Sequence, residues 1–381
     1  MFGDWLQGPY VYELYHSYGY QKESIAVLFI AGFGSSAIFG TFLGSLADKF
    51  GRKRFSIYCG LIYALSCLTK LSPQFWVLMV GRILGGIATS LLFSAYEAWM
   101  VNEHFKSGFL EDSLSSTFSL AIFGNGIAAI VSGIVGSIST IYFGYVAPFM
   151  IALVLFLISC IYIQYNWNEN YGDKSISSLE VFTGALNTLK TDISVSLLGL
   201  TQSLFEGAMY VFVFMWTPML KESYPEFEDR SLGLHGLIFA GFMVMIMLGS
   251  SVYMLLEKHW TPERIYLGNL LIAALSFLLI SLYIESGLVK FFSFMVFELC
   301  CGVHFTCIGT LRGKYIPEQT RSAVMNFFRI PLNILVCFIL YYVEHFSSQK
   351  IFLICSCWLS LSGLAINHII SRDHKKITST V

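Results

Sequence analysis

The sequence predicts an all-α, polytopic membrane protein built from two pseudo-symmetric six-helix bundles, with its first helix truncated. Three observations predict it. Hydrophobic residues make up 56% of the chain and charged residues only 12%, where a soluble domain carries about 25% charged residues; the mean hydropathy is +0.67. Apolar runs of spanning length recur from one end to the other. The longest polar interval in mid-chain, 166–192, parts them into two halves that echo one another. A formal net charge of −1 gives no sign of nucleic acid or of an acidic partner, so the placement of charge carries the information.

A helix needs about 20 apolar residues to cross a hydrocarbon core ~30 Å thick, because no backbone polar group can go unpaired in lipid. Residues 2–18 come first. They are apolar and aromatic but would rise only about 25 Å at ~1.5 Å per residue. They read as the outer part of a span whose beginning is missing; a genuine eleven-span chain is the other reading. Spans two to six follow at 24–46, 54–72, 75–96, 114–139 and 145–164. After the polar NWNENYGDKS and a weakly amphipathic piece around 179–189, spans seven to twelve run over 193–217, 234–256, 265–284, 289–311, 322–343 and 350–371. The expected domains are an N-terminal bundle over 1–165, a central cytosolic loop over 166–192, a C-terminal bundle over 193–371 and a cytosolic tail over 372–381.

Lysine and arginine set the orientation. Fifteen fall on the side holding the loops after spans two, four, six, eight and ten and the tail, Arg312 and Lys314 among them, against six on the other side, where Lys70 is counted. The positive-inside rule makes the richer side cytosolic and puts both termini there. The expected location is the plasma membrane, and the expected state a monomer. All nine cysteines lie inside apolar runs, which points to packing rather than to disulfides or a zinc site. Neither a metal nor a cofactor is expected.

The halves resemble each other locally: MVGRILGG (79–86) aligns with MVFELCCG (295–302), pairing Arg82 with Glu298 and Gly86 with Gly302. Between spans two and three, LGSLADKFGRKR (43–54) packs five ionisable residues into an otherwise apolar region. Gly44 and Gly51 permit close helix approach and positive φ, Arg52 and Lys53 anchor at anionic headgroups, and Asp48 can accept from a neighbouring helix N-terminus. That is a conformational latch in outline; a plain anchoring loop fits the same spacing.

This stretch, of the form G-x-x-x-D-(R/K)-x-G-R-(R/K) over 44–53, resembles the signature of the major facilitator superfamily, as does Arg82-x-x-Gly85-Gly86 in span four. A narrower resemblance joins it. DWLQGPYVYELY (4–15), LTKLS (68–72), GRILGG (81–86), LLFSAYEAW (91–99), NWNENY (166–171), FVFMWTP (212–218) and FFRIPLN (327–333) are together similar to the eukaryotic molybdate-anion transporter branch. The resemblance implies the major facilitator fold, with two bundles rocking around a midplane cavity lined by spans one, four, seven and ten. It implies molybdate as the substrate. Span five, GNGIAAIVSGIVG (124–136), lacks the proline of the superfamily's antiporter motif, so exchange is not implied.

A charge at the bilayer centre costs from ~2.5 to more than 10 kcal/mol, so such residues face a cavity or a partner. Five stand out: Arg82, Arg329, Asp4, Glu206 and Glu298. Helical spacing puts Asp4 with Gln7, Gln202 with Glu206, and Asn326 with Arg329 and Asn333 on shared faces. Molybdate is a tetrahedral dianion that only accepts hydrogen bonds, so its site needs donors and positive charge. Arg82 and Arg329 are the expected ligands, aided by Gln7, Asn326 and Asn333. Arg82 also fits a structural ion pair with Glu298 or Asp4, and Arg329, two residues before Pro331, fits a gating or packing role. Asp4, Glu206 and Glu298 are expected to couple transport to protons or to balance the arginines. The expected function is secondary transport by alternating access. A carrier of sulfate or a non-transporting sensor or scaffold are the alternatives; no Walker loop supports ATP-driven transport and no catalytic constellation supports an enzyme.

Overall fold

The computed structural model describes residues 1–109, 111–172, 178–223, 227–316 and 321–379, with side chains at all of these except 41, 45, 111–116, 119, 178–182, 227–233, 321–323, 326 and 374–379. Among the described residues every regular element is helical, in line with the sequence. The first apolar run is not one helix. Pro9 has no N–H to donate, so the run breaks into α1 (Phe2–Gln7), a 3-10 turn (Gly8–Tyr10) and α2 (Val11–Ser17). Next come α3 (Lys22–Phe50) and α4 (Arg52–Thr69), joined through Gly51 alone at a φ of +118°. α5 (Phe75–Leu92) stops where Ser90 and Ser94 turn their hydroxyls onto carbonyls four residues back, and α6 (Ala95–Lys106) takes over.

α7 (Glu111–Phe143) is followed by α8 (Ala147–Asn166), which carries Pro148 in its first turn, where a missing N–H costs nothing. The amphipathic piece is α9 (Ser178–Thr191). Beyond it run α10 (Ile193–Ser223), α11 (Phe227–Leu256), α12 (Pro262–Leu282), α13 (Gly287–Tyr315), α14 (Arg321–Tyr341) and α15 (Ser348–Ser379). Nine stretches among the described residues are long and apolar enough to cross a membrane. α4 is not one of them because it opens on Arg52, Lys53 and Arg54, and α14 contributes a shorter apolar piece, Phe327–Tyr341.

The helices gather into two compact units, one of Met1–Ile176 with Asp229–Ala240, the other of Ser177–Glu228 with Gly241–Val381. In the first, α4 packs on α5 and α8, α3 on α5, and α1 against α7 and α8. Its interior includes Tyr63 stacked on Phe156 at 4.6 Å, with Leu6, Tyr15 and Phe149 fully buried. In the second, α12 packs on α13 and α15, and α10 on α13, α14 and α15. Its core is a block of phenylalanine rings from Phe205, Phe212, Phe277, Phe294 and Phe297.

The alignment of 79–86 with 295–302 has a physical counterpart in each unit. A side chain at Gly86 would collide with the Gly32 carbonyl and the Ser35 hydroxyl of α3, and one at Gly302 would collide with the Ile246 carbonyl of α11. Lipid supplies no hydrophobic drive between helices, so backbones at this distance are held by van der Waals packing that only small residues allow.

Candidate functional site

α5 carries Arg82 into the first unit, where it is half-buried. Its Nε donates to the Leu28 carbonyl at 3.2 Å, and its guanidinium covers the Phe29 ring at 4.7 Å. The same group fills the space above Gly32, where a Cβ would stand 2.6 Å from it. Asp4 accepts a hydrogen bond from the Tyr63 hydroxyl at 2.8 Å, and that hydroxyl is also 2.8 Å from Thr89 Oγ1. The carboxylate is therefore held by a phenol rather than by Arg82. Gln7 is buried and its amide donates to Gly3 of its own helix at 3.2 Å. Lys70, counted at the outer end of span three, turns inward, and its ammonium donates to the Tyr15 hydroxyl at 2.8 Å. Glu13 and His235 face each other across 3.9 Å, both 1% exposed.

In the second unit Glu206 is the meeting point. Its Oε1 accepts from Gln202 Nε2 at 2.9 Å and lies 3.6 Å from Arg312 and 3.7 Å from His304 Nε2. Arg312 Nε donates to Gln202 Oε1 at 2.9 Å, which closes a ring of three side chains. His304, stacked on Phe205 at 3.9 Å, places Nδ1 2.7 Å from the Tyr266 hydroxyl. Arg329 is exposed, and its charge acts on both Glu206 and Arg312. Asn333 donates to the Arg329 carbonyl one turn back at 2.8 Å. The Asn326 side chain lies outside the described residues. Glu298 is 6% exposed and stands one turn before Cys301 on α13.

Helical spacing thus placed Gln202 and Glu206 together, but Arg312 and His304 were not foreseen beside them. α13 runs four residues past the expected end of span ten, which draws Arg312 out of the loop and into the helix. The chemistry of the two units differs accordingly. Among the described residues Arg82 makes no ion pair, whereas Arg312 is matched by a carboxylate.

The Gly51 turn is more elaborate than its spacing implied. Asp48 pairs with Arg52 Nε at 2.7 Å across the turn, and Arg52 also donates to the Ala98 carbonyl of α6 at 3.0 Å. The exposed N–H groups of α4 are met by Glu169, which accepts from Lys53 N at 2.8 Å and Arg54 N at 3.3 Å. Asp48 does not serve them because the chain after α8 lies over the turn: Arg52 N donates to the Asn170 carbonyl, and Gly172 N to the Asp48 carbonyl. Lys53 Nζ reaches the Gln164 carbonyl at 2.8 Å. Trp167 stacks on Trp99 at 3.6 Å and 8°. Gly44 sits in α3 facing Ser94.

Residues 1–296 match a family described as sugar transporters with twelve transmembrane segments. A molybdate-anion transporter of Xenopus laevis is 36% identical over 342 residues, covering 87% of this chain and 74% of that protein. One of Takifugu rubripes is 34% identical over 371 residues, covering 88% and 75%. Among solved structures, the nucleoside transporter NupG superposes with a TM-score of 0.74 at 13% identity, covering 97% of this chain and 95% of that one. A point mutant of it gives 0.77 at 14% identity, with 96% and 95% covered. At such identity the likeness concerns the fold alone.

Proposed function

Because this chain belongs to the molybdate-anion transporter family of the major facilitator superfamily, we propose that it is a secondary carrier moving molybdate across a membrane by alternating access. Arg82 carries the reading. A guanidinium inside a membrane bundle, half-buried and without a carboxylate among the described residues, leaves forked, permanently charged donors for an oxyanion. In the second unit Arg329 is exposed, its charge acts on Arg312, and we assign it to the anion as well. Gln7, Asn326 and Asn333 would assist; the Gln7 and Asn333 amides, bonded within their own helices, must turn to do so.

The three carboxylates divide by environment. Glu206 beside Arg312 balances charge, and Asp4 is fixed by Tyr63. Glu298, buried beside a thiol, is the carboxyl we assign to proton uptake. The Gly44, Asp48, Gly51, Arg52 and Lys53 turn would favour one facing state through its bonds to α6 and to the chain after α8. The protein is a carrier and not an enzyme, and we place it in the plasma membrane as a monomer with cytosolic termini. Uptake of labelled molybdate into proteoliposomes, with excess sulfate as competitor, tests the reading. Accumulation that resists sulfate is expected, dominance by sulfate makes this a sulfate carrier, and binding without accumulation makes it a sensor. In the same vesicles Glu298→Gln should flatten the dependence of uptake on pH; an unchanged profile removes Glu298 from coupling.

A further inference from the structure

Lys70 ends α4 at the far end of that helix from the Gly51 turn. It is 2% exposed, its backbone carbonyl accepts from the Tyr18 hydroxyl, and its ammonium lies 3.2 Å from where a Cβ on Gly81 would stand. The next residue of α5 is Arg82, whose charge acts both on that ammonium and on the Tyr15 phenol. A buried Lys70 and a half-buried Arg82 of one sign repel, and a charge removed from water normally requires a partner of the other sign. Among the described residues neither has one: Asp4 is held by Tyr63, and Glu13 faces His235.

The donor inventory is equally one-sided. Of the three ammonium N–H groups of Lys70, one goes to Tyr15; of the five guanidinium N–H groups of Arg82, one goes to Leu28. The Tyr15 hydroxyl accepts from Lys70 and keeps its own proton to give. This surplus of donors beside uncompensated positive charge matches a species that is negative and only accepts.

We propose that Lys70, Arg82 and Tyr15 form a subsite for a tetrahedral oxyanion in the first unit, where the Lys70 ammonium lies beside Gly81, the neighbour of Arg82, about 10 Å along α5 from its start at Phe75. The subsite rests on the carrier reading for its physiological substrate and on Lys70 and Tyr15 for its existence. An oxyanion bound there cancels the repulsion that the protein otherwise carries.

Thermal unfolding of the purified full-length protein in detergent at low salt tests it, with molybdate, sulfate and phosphate each compared with chloride at matched ionic strength. The wild type should be stabilised by at least one oxyanion. Lys70→Met should need at least tenfold more of that anion for the same shift while unfolding no earlier than wild type without it, and Lys70→Arg should keep the response. If Lys70→Met does not fold, Tyr15→Phe, which deletes one donor and no charge, should weaken the response several-fold. No stabilisation of wild type by any of the three anions, or Lys70→Met or Tyr15→Phe responding like wild type, overturns the subsite. Stabilisation by sulfate or phosphate but not by molybdate supports the subsite and overturns the substrate proposed above.

Discussion

Replacing Glu206 with Gln would leave the Arg312 guanidinium facing an amide instead of a carboxylate 3.6 Å away. A fully buried pair broken in this way costs about 3–5 kcal/mol; here the side chains keep 18% and 14% exposure, so we expect about 2 kcal/mol, read as earlier thermal unfolding in detergent. Adding Arg312→Leu should return most of it. Arg82→Lys is expected to fold normally yet lose uptake at least tenfold, or about 1.4 kcal/mol, since a lysine has no planar fork to lie on Phe29 while donating to Leu28 and to substrate. Uptake at unchanged protein level checks it. The intramembrane charges Asp4, Arg82, Glu206, Glu298 and Arg329 were legible because hydrocarbon makes each of them conspicuous. Lys70 and Arg312 were not. Both stand at helix ends, where sequence gives the position along the chain but not whether the side chain turns inward or toward water.

At the scale of elements, the turn between α3 and α4 depends on two residues far apart in sequence. Gly51 supplies a φ closed to other residues, and the Glu169 carboxyl carbon lies 2.5 Å from where its Cβ would be. Gly51→Ala should therefore cost more than the ~1–2 kcal/mol of a left-handed residue alone, because Glu169 must also move. Glu169→Ala removes the side-chain acceptor from two N–H groups at the start of α4 and should cost about 1 kcal/mol. Hydrogen exchange at Lys53 and Arg54 is the direct readout, and protection equal to wild type in Glu169→Ala would refute the cap. The glycines and charges of the turn were readable from spacing. That the polar NWNENY stretch folds back to cap it was not, since composition marks that stretch only as a loop.

On the scale of the molecule, the internal likeness of the two halves was readable from eight residues in each, and Gly86 and Gly302 explain why it lies there. Each lets α5 or α13 close on a neighbouring backbone, and neither has room for a branched side chain. Gly86→Val and Gly302→Val should each abolish a monodisperse peak in size-exclusion chromatography, and Gly124→Val, where a side chain meets open space, should not. That the described residues are helical followed from hydropathy, but the breaks after Gln7 and Leu92 did not, and nine stretches among them rather than twelve are long and apolar enough to cross a membrane. Which polar side chains meet did not follow either, because Glu206 and Arg312 are 106 positions apart and their pairing depends on how α10 settles on α13.

Trp99 and Trp167 are two of only seven tryptophans, and their rings lie parallel at 3.6 Å. Indoles that close share their excited states, so the pair should give an excitonic couplet in far-ultraviolet circular dichroism that vanishes in Trp167→Phe and stands out in the difference between the two spectra. The protein thereby carries a built-in optical gauge: if the segment after α8 lifts from the Gly51 turn during a transport cycle, the couplet fades without any attached dye.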